Sequence, residues 1–338
     1  AGVLASALSA VYDVNLATSA GAADALDAQT VRWLGEFFGY PVAEGHFTSG
    51  GQISNFTGVL VARENALPGT RTNGVPSAPL AVYCSAEAHH SNVRAVEAAG
   101  LGSRSIRKIP IDANRRMDAA DLERQLAADV AVGVTPVAVI ATAGTTLSGA
   151  VDPLDAIADV CERYGVWLHV DGAYGLPAAV SPQTADLFRG LERADSVTVD
   201  IHKWMGLQKS CSLFMVRHRG ALVRAFGHDE QYMLHDQDSV NPVDRTFEYS
   251  RPFRALKPWL ALKLMKSHGA GHAHEAAAGG LAGKLQSLFA RVLTPFLSSA
   301  RKRWQLLAGI VVALMLSVGL TVVQWVVLKM LPFDNKSE

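Results

Sequence analysis

Residues 166–175 read VWLHVDGAYG. The apolar run Val166 to Val170 has strand length and ends in Asp171 and a glycine-bounded turn, the pattern of a buried strand that delivers a carboxylate to its carboxyl end. Among apolar neighbours that carboxylate needs a cationic partner, because desolvation otherwise raises its pKa and neutralises it. Just upstream, DPLDAIADVCERYG (152–165) sets Leu154, Ile157, Ala158 and Cys161 on one helical face, starting at Asp152-Pro153 and stopping at Gly165. The same alternation extends outward. Strand-length apolar runs recur at Leu80 to Tyr83, Val137 to Thr142, Ser196 to Val199 and Ser212 to Val216, and DAADLERQLAAD (118–129) reads as a helix with Asp118 as N-cap and Asp121 in its first turn. Strands alternating with helices predict an α/β domain with a mostly parallel sheet, its sites at the carboxyl ends of strands.

Composition removes several classes. With 31 Lys+Arg against 31 Asp+Glu in 338 residues, the chain lacks the basic excess that drives phosphate-backbone binding, so no nucleic-acid partner is expected. An apolar fraction of 49% excludes a disordered or collagen-like chain. Cys84, Cys161 and Cys211 lie apart in apolar runs without metal-ligand spacing and read as buried thiols of a reducing compartment. No basic n-region precedes the first apolar run, so no secretory signal is expected.

The chain's end reads differently. From Leu306 to Leu328 it runs LLAGIVVALMLSVGLTVVQWVVL without a formal charge, long enough to cross a bilayer core of ~30 Å at ~1.5 Å per residue. Arg301, Lys302 and Arg303 precede it, which by the positive-inside bias places its N-terminal side in the cytoplasm. Upstream, Leu281, Leu285, Leu288, Val292 and Phe296 form a stripe opposite Lys284 and Arg291, suited to an interfacial amphipathic helix. His268, His272 and His274 lack a carboxylate or cysteine to complete a metal site, so no metal is expected and a polar linker is read there.

Three motifs carry chemistry. In FTSGGQISNFTGVLVAREN (47–65), Gly50 and Gly51 precede a helical pattern, a place where backbone N–H groups and the positive end of a helix dipole favour a phosphate, with Gln52 and Ser54 as further donors. VWLHVDGAYG supplies Asp171. SVTVDIHKWMG (196–206) is a strand ending in Asp200, His202 and Lys203. A phosphate cradle, a strand-end carboxylate and a strand-end amine together answer the needs of pyridoxal 5'-phosphate, whose aldehyde forms a Schiff base with a lysine and whose ring nitrogen wants a carboxylate.

With FTSGGQISN, YCSAEAHHS, IATAGTTLSGAVDPL, HVDGAYG, VDIHKWMG followed by CSLFMVR, and FEYSRPFRALKPWLALK in that order, the chain from about Tyr12 to Ser267 resembles the group II pyridoxal-phosphate-dependent amino-acid decarboxylases. The resemblance implies a fold-type I large domain with a mostly parallel seven-stranded sheet flanked by helices, and a homodimer with its site at the subunit interface. It implies that Lys203 holds the cofactor, Asp171 pairs with the ring nitrogen, His89 stacks on one ring face and Ala173 lies under the other. Gly51 and Gln52 match the phosphate-binding turn, His202 a neighbour of the phosphate, Asp200 a position that is Asn or Asp, and Thr145 a threonine near cofactor and substrate carboxylate. Tyr232, in AFGHDEQYMLHDQD, matches a loop tyrosine that protonates the substrate carbon after carbon dioxide leaves. Arg251 and Arg254 match a structural basic cluster.

The expected organisation is a large domain over 1–268 lacking the family's N-terminal segment, a linker at 269–280, an amphipathic helix at 281–300, a transmembrane helix at 304–330 and a tail at 331–338. The expected activity is decarboxylation of an L-amino acid to its amine by a cytoplasmic domain anchored through a single span. The alternatives are a catalytically impaired, membrane-tethered remnant or fusion, or an aldehyde synthase or aminotransferase on the same scaffold.

Overall fold

The computed structural model describes residues 2–12, 16, 21–228 and 241–269, with side chains to 264 in the last stretch, and the isolated positions 305 and 315. Contacts divide the chain into units 1–264 and 265–338, and the architecture below is that of the first. Its elements run α1 Gly2–Tyr12, α2 Ala22–Phe38, β1 Glu44–Thr48, α3 Gly51–Ala66, α4 Thr70–Asn73, β2 Leu80–Ser85, α5 His90–Ala98, β3 Ile106–Ile109, α6 Ala119–Ala131, β4 Thr135–Thr142, α7 Leu154–Tyr164, β5 Trp167–Asp171, β6 Ser196–Val199, β7 Ser212–Val216, α8 Ala221–Phe226 and α9 Leu256–Gly269.

The strands form one seven-stranded sheet of order β1-β7-β6-β5-β4-β2-β3. Five neighbours from β3 to β6 pair in parallel, while β7 runs antiparallel to both β6 and β1, so the mostly parallel sheet carries an antiparallel edge. Crossover helices cover both faces, so the central strands are mostly apolar and β2, β5, β6 and β7 are buried at every position. β4 shows how the two cores are divided. Val139 and Ala141 enter the core that holds α2, α6 and α7, and Ile140 enters the one that holds α3, α5 and α8.

Two of the helices read from sequence, over 118–129 and 152–165, form as expected. Asp118 accepts from the backbone N–H groups of Ala120 and Asp121 at 2.9 and 3.1 Å, a cap worth about 1 kcal/mol. α7 follows Pro153 and ends where Gly165 turns left-handed at φ 65°, burying Leu154, Ile157, Ala158 and Cys161 against β4 and β5. Each of its large apolar side chains contributes about 1.5–3 kcal/mol by leaving water. All three cysteines are buried free thiols, and burial pushes Cys84 up to about 11 and Cys211 to about 12.

Two strands, β1 and β3, are additional to those read from the sequence. Both are sheet edges with polar letters, EGHFT and IRKI, and no apolar run to mark them. The expected linker, amphipathic helix and apolar span lie outside the described residues except Gly269, Gln305 and Met315. Among the described residues no helix is long and apolar enough to cross a membrane.

Candidate cofactor site

The carboxyl ends of β4, β5 and β6 and the N-terminus of α3 surround a cavity of about 270 Å³. It is lined by Gly50, Gly51, Gln52, His89, Ser91, Thr142, Gly144, Thr146, Asp171, Ala173, Tyr174, Asp200 and Lys203. Seven of the residues singled out in the sequence, Gly51, Gln52, His89, Asp171, Ala173, Asp200 and Lys203, therefore converge on one place although they span 153 positions, from 51 to 203.

Asp171 is the last residue of β5 and is 4% exposed. Among the described residues no cation contacts it; its partners are amides. Asn55 Nδ2 and Asn92 Nδ2 donate to its Oδ2 at 2.8 and 2.9 Å, and the Ala173 N–H donates to Oδ1 at 3.2 Å. Hydrogen bonds to a charged acceptor stabilise by about 1.5–3 kcal/mol each, so the amide donors stand where a cationic partner was expected. Asn55 lies one helical turn after Gly51 on α3 and Asn92 two residues into α5. Neither was singled out in the sequence; Asn55 closes the quoted FTSGGQISN, and Asn92 directly follows YCSAEAHHS.

Asp200 and Lys203 stand on the turn after β6. Lys203 Nζ lies 2.9 Å from Asp200 Oδ2, and Asp200 Oδ1 is buried without a hydrogen-bond partner. His202 does not line the cavity: its Nδ1 donates to the Cys211 carbonyl at 2.7 Å and its Nε2 lies 3.8 Å from Asp200 Oδ2, so it braces the turn from behind. His89 lines the cavity and His90 does not. His89 caps α5, its Nδ1 accepting from the Ser91 N–H at 3.1 Å with Ser91 Oγ at 2.9 Å.

Three expected details differ. Thr145 faces into its own turn, its Oγ1 bonding Ser148 Oγ at 2.7 Å and accepting from the Ala150 N–H at 3.2 Å, while Thr142 and Thr146 line the cavity instead. Ser54 is no cavity donor, since it is fully buried between Thr48 Oγ1 at 2.7 Å and Ser212 Oγ at 2.9 Å. Gln52 lines the cavity, but its Nε2 is committed to the Ser91 carbonyl at 3.1 Å. Arg251 and Arg254 stand outside the cavity, paired with Asp27 at 3.4 Å and Glu248 at 2.7 Å. Tyr232 lies outside the described residues.

Two glycines shape the wall. A Cβ on Gly51 would stand 3.0 Å from Asp200 Oδ2 and 3.1 Å from the Ala173 methyl. Gly144, at φ 96°, lets its backbone pass Gly175, whose Cα would be 2.6 Å from an added Cβ. Among the described residues no cluster of side chains could hold a metal ion.

The family model described as "Pyridoxal-dependent decarboxylase conserved domain" matches residues 3–287. That match extends past Ser267, through the stretch read as a linker and into the one read as an amphipathic helix. The aromatic-L-amino-acid decarboxylase of Bacillus atrophaeus is 37% identical over 270 residues, 78% of this chain and 55% of that protein. The cysteine sulfinic acid decarboxylase of Rattus norvegicus is 35% identical over 250 residues, 72% of this chain and 51% of that protein. The crystal structure of Oryza sativa TDC with PLP and tryptamine superposes with a TM-score of 0.73 at 28% identity, covering 78% of this chain and 57% of that one. The chain spans about half the length of the curated relatives it matches.

Pyridoxal 5'-phosphate, the cofactor implied by these matches, fits the donor set. The α3 N-terminus with its glycines suits the phosphate, the amide-bound carboxylate of Asp171 suits a protonated ring nitrogen, and Lys203 supplies the amine. The unpartnered Asp200 Oδ1 and the space a Cβ on Gly51 would fill are a polar acceptor and a cradle that the protein alone does not use.

Proposed function

The chain belongs to the pyridoxal-dependent decarboxylase family, and from that premise we propose that it decarboxylates an L-amino acid, with Lys203, Asp171, His89 and the α3 N-terminus forming the cofactor site. The observation that carries this reading is the convergence of the Asp171 carboxylate, the Lys203 amine and the glycine-led helix terminus on one cavity. Bound there, pyridoxal 5'-phosphate supplies an aldehyde and an electron-accepting ring, through which the bond between the α-carbon and the carboxylate of an amino acid can break.

This chain's residues have separate tasks. The α3 N-terminus binds the phosphate through its backbone N–H groups. Asp171, held by Asn55 and Asn92, would pair with the ring nitrogen and favour its protonated form. Ala173 leaves room for a flat ring, and His89, steered by Ser91, covers its other side. Asp200 holds the Lys203 amine at the cavity wall, where its attack on an aldehyde is local. Tyr232, assigned on the sequence resemblance, delivers the proton to the substrate carbon, so Tyr232→Phe should turn product from amine towards aldehyde while leaving attachment at Lys203 intact.

The relatives' names include an aromatic and a sulfinic amino acid as substrates, so the test uses both classes. The full chain is incubated with pyridoxal 5'-phosphate and a panel of aromatic and acidic L-amino acids, and carbon dioxide and amine are measured. The reading expects release with at least one substrate and none from Lys203→Ala. Cofactor attachment without carbon dioxide from any substrate would instead identify a catalytically impaired relative, and aldehyde with ammonia an aldehyde synthase. Assembly as a homodimer, checked by sedimentation, and anchoring by residues 306–328, checked by carbonate extraction of membranes, belong to the same proposal.

A further inference from the structure

On β5, Trp167, His169 and Asp171 alternate onto the face that α3 covers. His169 is 1% exposed, and α3 approaches it at Gly58, where a Cβ would stand 2.7 Å from the ring. The reading of the cofactor site leaves this histidine without a task.

Hydrogen-bond roles along this face follow from the one group whose role is fixed. An ionised carboxylate can only accept, so Asn55 must present its Nδ2 to Asp171 Oδ2, at 2.8 Å. That orientation turns Asn55 Oδ1 toward His169 Nε2, at 3.2 Å. An amide oxygen cannot donate, so the contact is a hydrogen bond only if Nε2 carries the proton. His169 Nδ1 is then the acceptor and meets Ser196 Oγ at 2.8 Å. The Ser196 hydroxyl is free to donate there because Trp167 Nε1 donates to the same oxygen at 2.9 Å. Trp167, Ser196, His169, Asn55 and Asp171 are each at most 4% exposed, so the links between them run through buried side chains. Burial also pushes His169 down to about 4 against the pull of the Asp171 charge, which keeps the ring neutral near pH 7.

We propose that His169, as a neutral imidazole protonated on Nε2, is a positioning residue that locks the Asn55 amide in the one orientation that donates to Asp171, and so fixes the carboxylate beneath the cofactor's ring nitrogen. A flipped Asn55 would set oxygen against oxygen at Asp171. The inference rests on the cavity's being a pyridoxal 5'-phosphate site, and it predicts an effect confined to the ring nitrogen.

The experiment has two arms on the full chain. First, ¹⁵N spectra of the cofactor-free protein near pH 7 read the tautomer: Nε2–H is expected, and Nδ1–H or a charged ring overturns the inference. Second, spectroscopic titration compares pyridoxal 5'-phosphate with its 1-deaza analogue, which keeps the aldehyde and phosphate but lacks the ring nitrogen. His169→Phe should weaken binding of the natural cofactor about tenfold, leave the analogue's affinity unchanged, and be partly rescued by His169→Gln, whose amide can donate to Asn55. Equal loss for both ligands would make His169 merely structural and overturn the proposal. If the unsubstituted protein binds neither ligand, the cofactor reading fails, and the tautomer alone decides the relay.

Discussion

Lys203 Nζ lies 2.9 Å from Asp200 Oδ2, three residues earlier on the turn that closes β6. Asp200 is 3% exposed, whereas the lysine side chain is 39% exposed, so the buried carboxylate is the fixed member and the amine the one it holds. Misplacing a reacting group by ~1 Å can cost ~100-fold in rate. Asp200→Ala should therefore slow formation of a borohydride-fixed adduct at Lys203 by about ten- to a hundredfold, read by mass spectrometry over time. An unchanged rate would show that the pair does not position the amine.

Gly51 stands where a methyl group would crowd Asp200 and Ala173 at 3.0 and 3.1 Å. Gly51→Ala should weaken pyridoxal 5'-phosphate binding about tenfold while lowering the unfolding free energy by no more than about 1 kcal/mol, since the better helix propensity of alanine offsets part of the crowding. Cofactor titration and urea unfolding of the same sample separate the two effects.

His169 gives stability a pH dependence of definite sign. Its imidazole titrates near 6.5 when unfolded and is pushed down to about 4 by burial. Between those values unfolding takes up a proton, so its contribution is fully present above pH 6.5 and is lost as pH falls towards 4, by about 3 kcal/mol in all. Urea unfolding at pH 7, 6 and 5 should show this slope, and His169→Gln should flatten it. An identical slope in both proteins would assign the dependence to other groups.

Asp27 on α2 and Arg251 form an ion pair at 3.4 Å, with side chains 8% and 3% exposed. Burial raises the Asp27 pKa and Arg251 opposes the rise. Removing one member of such a pair leaves a buried charge, so Asp27→Ala should cost about 3–5 kcal/mol in urea unfolding. A loss below 1 kcal/mol, within the range of exposed pairs, would show that the pair is solvated in solution.

What was legible in the sequence was what local pattern encodes. The apolar runs of β2, β4, β5, β6 and β7 announce strands because both faces of the sheet are covered, and Asp118, Pro153 and Gly165 mark helix ends through their own backbone chemistry. Asp171 and Lys203 were legible because the one closes such a run and the other follows one within a turn. β1 and β3 were not, since an edge strand such as IRKI keeps charged residues and its pairing depends on a distant partner. The same reason hides the roles of particular hydroxyls. Ser54 is taken from the cavity by Ser212, 158 residues away on β7, and Thr145 is replaced by Thr142 and Thr146 through the course of a single turn. Asn55 stands inside a quoted motif and Asn92 directly after another, but only the packing of α3 and α5 over β5 reveals that amides hold Asp171.

The central claim is a pyridoxal 5'-phosphate site built on Lys203. Borohydride reduction of the full chain with added cofactor, followed by mass mapping of the modified peptide, tests it most directly. The account predicts one reduced adduct, on Lys203, that disappears in Lys203→Ala; no adduct, or one that persists in that variant on another lysine, would contradict it.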